Sequence, residues 1–454
     1  MTGGLRRDLG VVESYAALIG ILIGAGIFKV TGEAWSLTGS SVILAYVVLA
    51  PAVLANSVAY AVFLSTPLGR EPGGEYTHIS RTFGGYGVAF VGAWLKIISY
   101  VGALAYLSVA FAEYLAPLLR REDSPGARTA VAIASLVFFY VVHAVGVRWF
   151  GRIQVVMCVL LGLSILVLVV PGLFAIRLAN YRPFFTHGIG GFARALPPLF
   201  FAYAGFESLA QAAGEVRDST RRLPGIFVRG IAVTTLIYFL ISVVAFGVLP
   251  GERLAASAAP MADVGSVYLP GGAAWFVIFG ALMAITTSLN STMLVPSRLA
   301  VMVARDRLAP GWIGAVAPAT GTPLTGLTLT LAVAVLLVAS GQVSLALNIA
   351  VFALVVLYFL HSFTLLVLPS RNPDLFAQVT VRVPLWLQRA GAILSMLAMA
   401  ALIVLQVSDD LSTLSSLSFS QRLAQGRVTA VELCAAWGLI GALLYALGRR
   451  GRAR

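Results

Sequence analysis

Residues 19–32 read IGILIGAGIFKVTG, and residues 199–208 read LFFAYAGFES. Both lie inside long apolar stretches. Both carry glycine where a membrane helix should run unbroken, at Gly24-Ala25-Gly26 and at Ala202-Tyr203-Ala204-Gly205. Glycine lacks a Cβ, so these are easy points at which to unwind a helix. Unwinding inside lipid strands N–H and C=O groups at several kcal/mol each, unless they line a cavity or hold a ligand. Paired interruptions at corresponding places in two halves of a chain point to a transport site at the membrane midplane. Close packing between helices is the other use of such small residues. The match between the two segments favours the site.

The chain of 454 residues is 59% hydrophobic and 11% charged, with a mean hydropathy of +0.93. That composition excludes an ordinary soluble domain and specifies an all-α integral membrane protein. Twelve apolar spans are expected, near 12–33, 41–64, 85–118, 128–147, 153–176, 192–214, 226–249, 272–304, 323–340, 344–368, 384–407 and 430–448. The net charge of +13 invites a nucleic-acid partner, but its distribution argues against one. With the N-terminus inside, twenty of the twenty-nine arginines fall on or near cytoplasmic loops and ends. The positive-inside rule then gives a multi-pass protein of the cell membrane with both termini cytoplasmic. Attraction to anionic membrane lipid adds to the same bias. Cys158 and Cys434 both sit within apolar spans, so no structural disulfide is expected. The start MTGGLRRDLG is short and charged, and no cleavable signal peptide is expected there.

The first ten spans divide into five plus five, with the glycine-broken spans first in each half. An odd number of spans per half inverts the second relative to the first. The expected organisation is one transporter domain over 1–454: a first repeat of helices 1–5 in 1–178, a second of helices 6–10 in 179–369, and helices 11 and 12 in 370–454. The last two read as a peripheral pair, suited to a monomer or a homodimer.

Polar residues within the spans are the candidates for chemistry. An unwound first span presents N–H groups suited to a carboxylate and C=O groups suited to an ammonium or a cation. Phe201, Tyr203 and Phe206 flank the second break; Phe201 is placed to close over a substrate, unless it faces lipid or core. Glu207 is a carboxylate at membrane depth, fit to carry a proton or to pair with a charge. Glu215 is nearer the membrane edge and suits a partner among the local arginines. Lys96 and Lys29 are the only lysines. Lys29 is placed to snorkel outward. Lys96 lies roughly 18 Å into span 3 at about 1.5 Å per residue, and needs a carboxylate, a substrate anion or a cavity. An internal pair with Glu207 or Glu13 would also satisfy it. Thr286, Thr287 and Ser288, with Asn290, Ser291 and Thr292, could cage Na⁺ or simply bond back to their own helix carbonyls.

GAGIFKVTG, EPGGEYTHISRTFG, FFAYAGFESLAQAAGEVRDSTRRLP and SLNSTMLVPSRLAVMVARDRLAP followed by GTP stand in order along the chain. Together they resemble the amino acid–polyamine–organocation permeases over the first ten spans. The resemblance implies the five-plus-five inverted-repeat transporter fold, with helices 1 and 6 broken. It implies a substrate α-carboxylate at Gly24, Ala25 and Gly26, and an α-amino group near the backbone of Leu22, Ile23, Phe201 and Ala204, with Ala202 and Gly205 in the same break. It implies a gating ring at Phe201, proton-linked gating at Glu207, and Lys96 and Ile97 at the side-chain subsite. Several proton-coupled members carry a lysine in span 5, where this chain has Leu161. Thr286 and Thr287 fall where sodium-coupled relatives of the fold place hydroxyl ligands.

The expected function is secondary transport of amino acids by alternating access, without a cofactor beyond a coupling Na⁺ or H⁺ and without a bound metal. Lys96 tilts the expected substrate toward neutral or acidic amino acids. The alternatives are an inorganic cation/chloride cotransporter of the same fold, or a polyamine/organocation transporter. A membrane enzyme is the remaining class, but no HExxH, GxSxG or clustered triad occurs, and His78, His143, His187 and His361 are scattered.

Overall fold

The apolar runs become helices, and glycine, proline and polar residues mark their ends. The computed structural model describes residues 5–24, 26–115, 125–257, 259–271, 273–341, 343–424 and 428–452. Its main helices are α1 (Val11–Leu22), α2 (Thr31–Thr38), α3 (Val42–Leu64), α4 (Gly74–Phe83), α5 (Gly87–Leu115), α6 (Pro125–Val145) and α7 (Val147–Gly172). They continue as α8 (Gly188–Phe200), α9 (Ser219–Val248), α10 (Ala273–Arg305), α11 (Leu324–Ala339), α12 (Val343–Arg371), α13 (Leu385–Ser416) and α14 (Ala430–Arg452), with short helical turns between. Among the described residues no strand forms.

Nine helical stretches among the described residues are long and apolar enough to cross a membrane, by length and composition. Two shorter apolar helices, Leu324–Ala339 and Ala430–Ala446, accompany them. The sixth expected span is not one continuous helix. After α8 come a 3₁₀ turn, Phe201–Tyr203, and a four-residue helix, Ser208–Gln211. The first span is also interrupted: α1 ends at Leu22, and a π-helical turn, Gly26–Val30, leads into α2.

α5 packs against both α10 and α12 at the centre, and α3 packs on α9 and α13. α10 is the most enclosed long helix, whereas α7 and α13 turn Val156, Val159, Leu166, Leu397 and Val404 outward. An outward apolar band of this kind is what lipid covers. α14 is fastened to α5 by Trp94 and Trp437. Their rings stack at 4.2 Å, and each indole N–H donates to the other residue's carbonyl, at 2.7 and 2.8 Å.

At one end of the bundle the chain is stitched by main-chain and ionic contacts. Leu9 and Val216 form an isolated parallel bridge. In it Leu9 N–H donates to the Glu215 carbonyl (3.0 Å) and Arg217 N–H to the Leu9 carbonyl (2.9 Å). Arg298 and Glu215 form a fully buried two-pronged pair, both contacts at 3.0 Å. Arg81 holds Asp306 by two contacts of 3.1 and 3.2 Å, and the Tyr76 hydroxyl donates to the same carboxylate (2.8 Å). Burial, reinforced by Asp306, raises the Tyr76 hydroxyl well above the ordinary phenol range.

Candidate functional site

The two interruptions meet. A Cβ built on Gly26 would fall 2.5 Å from the Ala202 Cα, and one on Gly24 would fall 2.2 Å from the Ser288 hydroxyl. Gly205 has φ +102° and lies against Ile21, a backbone conformation that other residues rarely adopt. Where α1 stops, Ile23 N–H donates to the Ile19 carbonyl and Gly24 N–H to the Leu22 carbonyl. The Tyr238 hydroxyl, from α9, sits between the two breaks and contacts the carbonyls of Leu22 and Ala202, the latter at 2.5 Å. Tyr46, Tyr203 and Tyr238 pack as a cluster of rings behind it. A single hydroxyl thus partners carbonyls from both interruptions.

A small cavity of about 40 Å³ opens at this meeting point. Leu22, Gly24, Gly26, Ala204 and Gly205 line it, joined by Ile21 of α1, Ser99, Tyr100, Ala103 and Leu107 of α5, Ser288 and Thr292 of α10, and Ala350 and Leu354 of α12. At roughly 10–15 Å³ per water it holds waters rather than an amino acid, so a substrate must spread its walls. Ile23 and Ala202 are buried beside it without lining it. Ala25, the Phe201 side chain and the Lys29 side chain lie outside the described residues. Ile97 lines a different cavity, about 620 Å³ and apolar, among α5, α10, α11 and α14. The α5 lining is a signal open to sequence reasoning: Ser99, Ala103 and Leu107 recur every four residues on one helix face.

Lys96 is turned away from this cavity and into a buried charge cluster. Its ammonium donates to both oxygens of Glu75, at 2.7 and 2.9 Å, and lies 3.7 Å from Glu207. Glu75 also accepts from the Tyr60 hydroxyl and from the Gln211 amide (2.7 Å). Glu207 accepts from Tyr100 (2.6 Å), from Tyr358 and from the Gly205 N–H (3.1 Å). Lys96, Glu75 and Glu207 are all buried. Glu75 stands in the EPGGEYTHISRTFG stretch. Of the acids the sequence offered Lys96, Glu207 stands within ion-pair distance, whereas the closer partner, Glu75, was not among them. Glu215 pairs not with the arginines beside it in the sequence but with Arg298 of α10, while Arg217 and Arg222 pair with Asp8 and Asp218.

Thr286 and Thr287 face inward on α10, but their hydroxyls are engaged with their own helix. Thr286 donates to the Leu282 and Met283 carbonyls at 2.9 and 3.0 Å, and Thr287 to Ala284 at 2.8 Å. Ser288 bonds the Gly20 and Ile21 carbonyls of α1, at 3.2 and 3.0 Å. The Gln154 amide of α7 donates to the carbonyls of Ala16 and Thr287, both at 3.2 Å, and Cys158 contacts the Ala16 carbonyl at 3.1 Å. Hydrogen-bond donors from α7 and α10 therefore already occupy these carbonyls. Leu161 is buried two turns of helix beyond Gln154 on the same face. Among the described residues no group of three or more His, Cys, Asp or Glu could hold a metal ion.

A polytopic helical bundle with an enclosed, mostly apolar cavity between interrupted helices defines a membrane protein that handles a small molecule. The amino acid permease family model matches residues 9–420, and the chain belongs to that family. Its relatives are transporters, not enzymes. The chain is 28% identical over 336 residues to the branched-chain amino acid permease BcaP of Bacillus subtilis, covering 70% of this chain and 71% of that one. It is 26% identical to the methylthioribose transporter of the same organism, over 72% of this chain and 73% of the relative. It is 27% identical to cationic amino acid transporter 1 of Arabidopsis thaliana, over 70% of this chain and 55% of the relative.

Proposed function

We propose that the protein is a secondary transporter of neutral, aliphatic amino acids in the cell membrane, working by alternating access with both termini cytoplasmic. Twelve spans, the first ten as two inverted repeats of five, form the working unit. The substrate α-carboxylate is held by N–H groups at Gly24 to Gly26, where the outer half of the first span begins. Its α-amino group faces carbonyls of the two interruptions, and the Phe201 ring gates the site. The observation that carries this reading is the meeting of both interruptions at one cavity. The side-chain subsite is formed by Ala103, Leu107, Ala350 and Leu354, with Ser99 and Thr292 as the polar edge. Its apolar wall suits alkyl side chains. The pairing of Lys96 with Glu75 removes the ground for preferring an acidic substrate.

Uptake of radiolabelled amino acids into proteoliposomes checks this directly. Leucine, valine or alanine should outcompete arginine, aspartate and putrescine. Preference for arginine or putrescine would move the protein to the cationic reading, which the plant relative's name supports. Chloride-dependent cation flux without amino acid uptake would overturn the amino acid reading altogether.

A further inference from the structure

We propose that the large apolar cavity among α5, α10, α11 and α14 binds one acyl chain of an anionic membrane phospholipid, whose headgroup is held by Arg305 and Arg307. The cavity measures about 620 Å³, against about 40 Å³ for the one between the interruptions. α5 and α10 wall both. Ser99, Tyr100 and Ser288 line the small cavity, and Ile97, Ile98 and Ala300 line the large one.

The lining fits an alkyl chain. Only three side chains around the large cavity carry a polar atom, and each is already engaged. The Thr330 hydroxyl donates to the Gly326 carbonyl at 2.8 Å, and the indoles of Trp94 and Trp437 donate to each other's main chain. A buried water needs polar partners, and protein interiors leave few voids larger than a water molecule, so a cavity of this kind suits an apolar guest. It opens sideways between α11 and α14. Leu329, Val333 and Leu444 line it and are still 42, 44 and 42% exposed, within the outward apolar surface that lipid covers. Its length suits the chain of one leaflet. On α5 the wall runs from Phe90 to Val101, roughly 16 Å along a helix axis, which is half of the ~30 Å hydrocarbon core of a bilayer.

One end of the cavity is cationic. Val303 and Leu308 line it there. Arg305 ends α10 between them in the chain, and Arg307 adjoins Leu308; both arginines are exposed. Asp306, the acid between the two, is taken by Arg81 and Tyr76, and Arg305 reaches only the Met302 sulfur, at 3.9 Å. Two guanidinium groups without a carboxylate favour a headgroup of net negative charge over a zwitterion. In the proposed topology this end faces the cytoplasm, the side on which anionic lipids concentrate and basic pockets between helices hold their headgroups. Depth, lining, lateral opening and charge thus converge on one ligand.

The test uses the full chain, stripped of lipid in detergent, with bound lipid counted by native mass spectrometry. The probes are phosphatidylglycerol and phosphatidylcholine with identical acyl chains. Phosphatidylglycerol should bind about thirtyfold more tightly, the effect of two arginines near a membrane surface. Arg305→Gln combined with Arg307→Gln should bring it level with phosphatidylcholine, whose own binding stays unchanged. Val333→Trp sets an indole in the lateral opening and should weaken both lipids by about tenfold or more. Val333 faces outward, so this variant should keep the thermal midpoint of the unaltered protein; should it unfold, Leu329→Trp at the same opening replaces it. Equal binding of the two lipids by the unaltered protein overturns the proposal, and so does undiminished phosphatidylglycerol binding by the folded tryptophan variant. Dimers that form on lipid removal and are lost in that variant would assign the opening to a second copy of the chain and overturn it as well. None of these measurements depends on transport, so the amino acid reading and this one stand or fall separately.

Discussion

Gly26 and Ala202 are in direct backbone contact: a Cβ on the glycine would lie 2.5 Å from the Ala202 Cα and 2.7 Å from its Cβ. Neither neighbour is the far end of a flexible side chain, so the two interruptions would have to separate. Gly26→Ala should lower transport by about tenfold or more, the effect of a distortion near 1.4 kcal/mol at the site, and Gly26→Leu should abolish it. Both proteins should still reach the membrane, because the rest of the bundle is untouched. Normal uptake by Gly26→Leu would show that this glycine serves packing alone.

Tyr238 reaches the carbonyls of Leu22 and Ala202 with one hydroxyl. Tyr238→Phe keeps the ring among Tyr46 and Tyr203 but leaves both carbonyls without that donor. A buried polar group that loses its partner costs about 1–3 kcal/mol. Thermal unfolding in detergent should therefore shift downward. Saturating leucine should recover part of the shift, since a bound ammonium can take over the freed carbonyls.

Replacing sodium by choline on both sides of the proteoliposome membrane should leave leucine uptake unchanged. The Thr286 and Thr287 hydroxyls are spent on their own helix, and the Gln154 amide covers the carbonyls of Ala16 and Thr287. A clear stimulation by sodium would mean that these donors yield to a cation during the cycle. Gln154→Ala would then be expected to strengthen it.

Glu215 and Arg298 are buried as a two-pronged pair. Glu215→Gln leaves the guanidinium buried opposite a neutral amide. Removing one partner of a buried pair costs about 3–5 kcal/mol, so expression and thermal stability should both fall sharply. The double variant Glu215→Gln with Arg298→Met should be more stable than Glu215→Gln alone. If it is no more stable, the pair's role is not electrostatic.

What was legible beforehand followed from local rules. A membrane span is a property of twenty neighbouring residues, and a helix break shows in one or two glycines, so the bundle and both interruptions could be read directly. Gly24, Gly26, Ala204 and Gly205 stand out in this way, and they line the cavity; Ile23 and Ala202, singled out with them, do not. Partnerships across the fold were not legible. Lys96 demanded a counter-charge, yet residue 75 lies before α5 and only tertiary packing brings it to the lysine. The same holds for Tyr100, one helical turn beyond Lys96, and for Tyr238. Aromatic residues are common in membrane helices, and nothing in the order of residues distinguishes the one that reaches a broken end. Ile97 shows the converse: next to Lys96 in sequence, it turns to a different cavity.

The short pairing of Leu9 with Val216 has a mechanical meaning. It joins the segment entering the first interrupted span to the segment leaving the second, by two main-chain hydrogen bonds that, short of proline at Leu9 or Arg217, do not depend on the side chains present. In the proposed transport cycle this tie makes the two half-spans one lever with two arms, whose other end is the contact of Gly26 with Ala202, so that rotation of one arm is expected to drag the other.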